Sequence, residues 1–190
     1  MGPPSRSVLI VTTLINSWLL MQIIHESGHV LAGLLTGAEI QRVVLHPSTI
    51  SRTDLAANPL PLLVCWAGPA FGAVAPLSLW LATRRFLPGA ADWFQFLAGF
   101  CLIANGAYIA VGAQDQIGDA GDLLKYGSPA WLLLLFGLVT IPAGLRLWHG
   151  LGKSFGVGRH AQPVPWRTAI ISLTVLLVIL LSELILSPVS

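Results

Sequence analysis

The chain has 190 residues, 55% of them hydrophobic and only 9% charged, with a net charge of +2 and a mean hydropathy of +0.78. A water-soluble domain of this size needs far less apolar surface, and apolar runs of about 20 residues, long enough to cross a bilayer, recur along the chain. The small net charge and the scatter of the basic residues exclude a nucleic-acid partner. The composition is that of an all-α polytopic membrane protein.

The first expected span runs from about Val8 to Leu35. It is longer than the apolar part of a signal peptide, so cleavage is not expected. Inside it lies His25-Glu26-Ser27-Gly28-His29, the pattern His-Glu-x-x-His. Residues four apart stack on one helical face, so the two imidazoles can converge on one metal ion. Glu26, one step round, can hold a water on that metal and take its proton. The plainer reading, a histidine pair bridging helices by hydrogen bonds, must meet the cost of ionisable groups at mid-membrane depth. That cost is about 2.5–3.5 kcal/mol each on insertion scales, which makes function the default reading. At 1.5 Å per residue, His25 lies roughly 25 Å along from Val8, in the half of the bilayer opposite the N-terminus. Gly28 and Gly33 remove side chains there and would admit another backbone.

From Gly37 to about Asn58, apolar and polar residues partly alternate and β-branched residues are frequent. This predicts a short hairpin or extended segment at the membrane surface. Its edge could pair with an extended peptide, or it could simply connect two spans. The second span, about Leu60 to Ala82, carries Ala67-Gly68-Pro69-Ala70-Phe71-Gly72, small residues suited to tight helix contact. Trp80 and Trp93 flank the basic turn at Arg84-Arg85 as interfacial anchors. The third span, about Trp93 to Val111, has Asn105 and Tyr108 as polar members near its far end. A polar stretch from Gly112 to Leu124 then holds Asp115, Asp119 and Asp122, three of the chain's eight carboxylates. The fourth and fifth spans cover about Pro129 to Trp148 and Trp166 to Leu186. Cys65 and Cys101 fall in separate spans and read as packing residues.

Alternation of the spans puts the histidine motif and the Asp119 loop on the same side of the membrane. A carboxylate from this loop, or from a helix starting within it, would complete a site with His25 and His29. Two imidazoles, a carboxylate and a water make the open four-coordinate set of catalytic zinc. Other donors fit less well: Leu35 stands where the longer metzincin pattern needs a third His, Glu39 is too close, and His46 precedes Pro47 in a surface segment.

His25-Glu26-Ser27-Gly28-His29, Ala67-Gly68-Pro69 and Asp119-Ala120-Gly121-Asp122-Leu123 together resemble the site-2 protease family of intramembrane zinc metalloproteases, in a compact form without a PDZ domain. The resemblance implies Zn2+ held by His25, His29 and Asp119, with Asp122 as the rival third ligand. It implies Glu26 as the catalytic base that activates water, Asn105 as a substrate-binding residue, and a membrane protein or peptide in the lipid bilayer as substrate. Two positions depart from the family's Leu-Asp-Gly element: Gly118 replaces its Leu and Ala120 its Gly. Residues 1–126 form the expected catalytic core and 127–190 two further spans, in a multi-pass protein expected in a bacterial cell membrane. A non-catalytic membrane binding protein that kept this fold is the alternative function, and a metal or proton transporter using His25, Glu26 and Asp119 a more distant one. Orientation is divided. Arg6, Arg84, Arg85, Arg146, Lys153, Arg159 and Arg167 fall on the N-terminal side, which the positive-inside rule makes cytoplasmic. The family resemblance implies the reverse.

Overall fold

A computed structural model describes residues 4–187. Its elements are α1 (Pro4–Thr36), the strands β1 (Glu39–Val44) and β2 (Arg52–Ala57), α2 (Pro61–Phe86), α3 (Ala91–Asp115), α4 (Gly118–Lys125), α5 (Ala130–Trp148) and α6 (Trp166–Leu186). Short 3₁₀ turns precede α3 and follow α5. The five helices other than α4 are each long and apolar enough to cross a membrane, within a few residues of the spans read from the sequence. Of the two readings of the Asp119 stretch, the structure takes the one with a helix starting within it. The polar stretch after the third span is not loop throughout: α3 continues to Asp115 and, after a bend, α4 begins at Gly118.

α1 ends where glycine permits. Gly37 takes φ +75° and the Ala38 N–H returns to the Gly33 carbonyl at 2.8 Å, closing the last turn. The chain then forms an antiparallel β1–β2 hairpin, with Val43 opposite Thr53 and Arg42 opposite Asp54. The register shifts on either side of Ile40, as at a bulge. Beyond β1 the Leu45 N–H donates to Ser187 Oγ at 2.9 Å, which ties this end of the hairpin to the end of α6. His46 serves its own turn, accepting from Ser48 Oγ at 2.8 Å.

Lipid tails supply no hydrophobic drive between helices, so close packing and polar contacts must hold them together. Each seam uses one or both. Between α1 and α2, a Cβ on Gly28 would overlap the Ala67 carbonyl, whereas one on Gly33 would meet only ordinary contacts near 3.5 Å. Gly28 therefore provides the close approach, and Gly33 is not needed for it. Between α3 and α5 the small residues interlock in both directions. Gly144 lies against the Gly99 carbonyl, Gly137 against Gly106, and Gly106 against Thr140. α6 runs beside α1 through hydrogen bonds: Thr12 Oγ1 to Ser172 Oγ at 2.7 Å, and Asn16 Nδ2 to the Ser172 carbonyl at 2.9 Å. Cys101 is fully buried on α3 and Cys65 partly buried on α2, both unbridged. At the end opposite the hairpin, Arg84 lies over Trp80 with its guanidinium carbon 5.3 Å from the ring centroid.

The α3–α5 seam tolerates little added volume. A Cβ on Gly144 would stand 2.6 Å from the Gly99 carbonyl oxygen and 2.7 Å from Ile103. Gly144→Val is expected to destabilise the fold by about 1–3 kcal/mol, measured by denaturation in detergent, because neither backbone can withdraw without opening the seam.

Candidate metal centre

His25 and His29 lie one turn apart on the buried face of α1, about 32 Å and 38 Å along it from Pro4 at 1.5 Å per residue. Asp119 reaches them from the first turn of α4. The three ligand-capable atoms form a tight triangle: His25 Nε2 to Asp119 Oδ2 is 2.7 Å, His29 Nε2 to the same oxygen 3.2 Å, and the two Nε2 atoms are 3.1 Å apart. Among the described residues, this is the one group of three His, Cys, Asp or Glu side chains whose donor atoms all lie within 4.8 Å of one another. Donor atoms bonded to tetrahedral zinc at 2.0–2.1 Å stand about 3.3 Å apart; two sides of the triangle, 3.1 and 3.2 Å, are close to that, and the third, 2.7 Å, is shorter.

The proton positions point the same way. His25 Nδ1 lies 2.6 Å from Asn105 Oδ1, and the Asn105 amide is turned by donating from Nδ2 to the Cys101 carbonyl at 2.8 Å. His29 Nδ1 lies 2.8 Å from the Val64 carbonyl oxygen. Carbonyl oxygens only accept, so each neutral ring carries its hydrogen on Nδ1 and turns a bare Nε2 toward Asp119. Two lone pairs and a carboxylate facing one point repel unless a cation lies between them or each ring takes a second proton. Burial alone would raise the Asp119 carboxyl. When each ring takes that second proton, the hydrogen bonds and charge of His25 and His29 outweigh it and hold the group well below the usual carboxylate range.

Glycines make the approach possible. A Cβ on Gly68 of α2 would overlap Nε2 of both His29 and His25, and one on Gly72 would overlap the Asn105 amide. The two departures from the family's aspartate element have local causes. Gly118 has φ +54°, and a Cβ there would run into the Tyr108 hydroxyl, which accepts the Asp119 N–H at 3.0 Å. Leu has no room at that position. Ala120 is fully buried, and Gly112 leaves the room its side chain occupies. The interval from Asn105 to Asp119 spans 14 positions. It contains the rest of α3, then Gln116 in the left-handed region at φ 55°, from which α4 doubles back so that Ala120 meets Gly112.

The other candidate residues are placed as follows. Asp122 is exposed on the outer face of α4 and lines an open depression of about 600 Å3 with Gln116, Gly121 and Lys125. It does not join the triangle. Glu26 is buried beside the histidines, with Thr53 Oγ1 donating to its Oε2 at 2.7 Å. Asn105, read from the resemblance as a substrate-binding residue, is 1% exposed with both ends of its amide committed to His25 and the Cys101 carbonyl. Its amide oxygen faces His25 Nδ1. Sequence reading did not find Thr53, Val64 or the steric role of Gly118. Thr53 arrives through a hairpin fold and Val64 acts through its backbone, so neither carries a side-chain motif; the Gly-for-Leu departure was the available sign for Gly118.

Comparison with known proteins adds one finding. Neither the curated proteins nor the solved structures yielded a match. A protein-family model, Peptidase M50B-like, matches residues 7–111. That stretch takes in α1 with both histidines and Glu26, the hairpin, α2 and most of α3 with Asn105, and it stops before Asp119. More than half of the chain is covered, and the chain belongs to the peptidase M50B-like family.

Proposed function

We propose that this protein is an intramembrane zinc metalloprotease that hydrolyses peptide bonds in or beside transmembrane segments of membrane protein substrates. The observation that carries the reading is the triangle of His25, His29 and Asp119 with the buried Glu26 carboxylate beside it, on a helix long and apolar enough to span a membrane. His25, His29 and Asp119 are the zinc ligands in this reading, and zinc when bound supplies Lewis-acid polarisation of a carbonyl and of a water. Asn105 and the Val64 carbonyl hold the two rings in the tautomer that leaves Nε2 free. Glu26 takes a proton from the attacking water as general base and passes it to the departing amine nitrogen as the C–N bond breaks. A helical substrate hides its carbonyls, so it must unwind before cleavage; the free edges of the β1–β2 hairpin give an unwound strand a place to lie.

Zinc per chain should be close to one in protein purified in detergent and loaded with metal. It should be lost in His25→Ala, His29→Ala and Asp119→Ala and kept in Asp122→Ala. Asn105→Ala should weaken zinc affinity about 10–100-fold, as loss of a group that orients a ligand does. An effect of Asn105→Ala on KM alone, with affinity unchanged, would return this residue to the substrate.

Glu26→Gln keeps the side chain's size and removes the base. With a reconstituted single-span polypeptide as substrate, kcat should fall about 10²–10⁴-fold while zinc content is unchanged. Cleavage at the wild-type rate in this variant would exclude the mechanism. Cleavage by neither protein, with zinc bound in both, would favour a non-catalytic member of the family.

A further inference from the structure

We infer that Thr53, on the hairpin, is a positioning residue for Glu26; this rests on the hydrolytic reading above. The two residues are 27 apart in sequence, on different elements, and the hairpin brings the Thr53 hydroxyl to Glu26 Oε2 at 2.7 Å. Glu26 is 3% exposed, so few other donors can reach its carboxylate. A hydrogen bond to an ionised carboxylate is among the stronger kinds. It also has a geometric effect. The last torsion of a glutamate is soft and roughly two-fold, so an untethered carboxylate samples a wide arc. With Oε2 held by Thr53, that rotation stops and Oε1 is left for the water whose proton Glu26 must take.

The donor itself is fixed. Threonine is β-branched and stiff about its first torsion, and Thr53 is in register opposite Val43. The hairpin is anchored on both sides. At its start the Ala38 N–H bonds the Gly33 carbonyl of α1, and beyond β1 the Leu45 N–H bonds Ser187 Oγ after the end of α6. Val44, between Thr53's strand partner and Leu45, is 4% exposed. The position of the base is thus referred to two helices at once, and one of them, α6, lies outside the stretch that the family model matches. A strand laid along the hairpin would press on the element that carries this hydroxyl, which couples substrate docking to the aim of the base.

The test uses Thr53→Val, nearly isosteric but without the donor, and Thr53→Ser, which keeps it. Both are compared with wild type and Glu26→Gln as zinc-loaded full-length protein acting on the same single-span polypeptide. Thr53→Val should lower kcat about tenfold or more with KM and zinc per chain unchanged, and Thr53→Ser should stay within about threefold of wild type. In metal-free protein, amide hydrogen exchange over β2 should quicken in Thr53→Val and equally in Glu26→Leu, since a coupling between two groups is reciprocal. Unchanged kcat in Thr53→Val, an effect confined to KM, or unmoved exchange over β2 would each overturn the inference. Survival of wild-type cleavage in Glu26→Gln would instead overturn the hydrolytic reading, whatever the Thr53 variants do.

Discussion

The structure turns on one electrostatic constraint: three electron-rich atoms, two imidazole nitrogens and a carboxylate oxygen, meet within 2.7–3.2 Å of one another at the edge of an apolar bundle. In water such a cluster would relax by turning outward. Here it is held from behind, because each ring is tied by its Nδ1 hydrogen to a carbonyl oxygen, that of Asn105 or of Val64. The rings cannot present their hydrogens to each other or to Asp119 without breaking those bonds. The cluster therefore has a standing demand for positive charge at its centre, met by a cation or by extra protons. A divalent ion meets it with one particle at a separation close to that observed, and the Peptidase M50B-like match points to the same chemistry.

Close approach is the second condition, and small residues supply it at three levels. Gly28 lets α2 come within backbone contact of α1, Gly68 leaves room for both Nε2 atoms, and Gly72 leaves room for the Asn105 amide. A side chain at Gly68 would occupy the space next to the ligand atoms themselves. Glycine-containing helices are ordinary in membranes because tight packing replaces the missing hydrophobic drive. On α2 the same feature also shapes the site, so packing and chemistry depend on the same residues.

Much of this was legible in the sequence. The five spans followed from apolar length alone, since the bilayer fixes how long a spanning helix must be. The histidine pair and Glu26 followed from helical spacing, and the side shared with the Asp119 loop from alternation. The choice between Asp119 and Asp122 did not follow, because both lie on one short helix and only its rotation turns the half-buried Asp119 toward the histidines and leaves Asp122 exposed. Gly118 looked like damage to a motif. Its positive φ and the Tyr108 hydroxyl against it show a local solution that a Leu would not fit. Asn105 was legible as a polar group near the site, but its partner was not. A buried amide gives no sign in sequence of whether it faces a substrate or a histidine ring.

The last two spans carry no motif, yet each supports one of the two pieces that complete the site. Asp119 rides on α4, an eight-residue helix too short to be stable alone. α4 is held by burial: Ala120 and Leu123 pack with Ile109 of α3 and Leu133 of α5 in one apolar cluster, each 0% exposed. α5 is in turn locked to α3 by the glycine seam. On the other side, α6 lies along α1 through Ser172, and Ser187 just beyond its end holds the hairpin that carries Thr53 to Glu26. The family-matched stretch contains both histidines and the base, but the third donor, Leu133 against α4 and Ser187 at the hairpin come after residue 111. Completing the site is therefore a property of the whole bundle: α5 packs against the helix that brings in the carboxylate, and the end of α6 holds the hairpin that reaches Glu26.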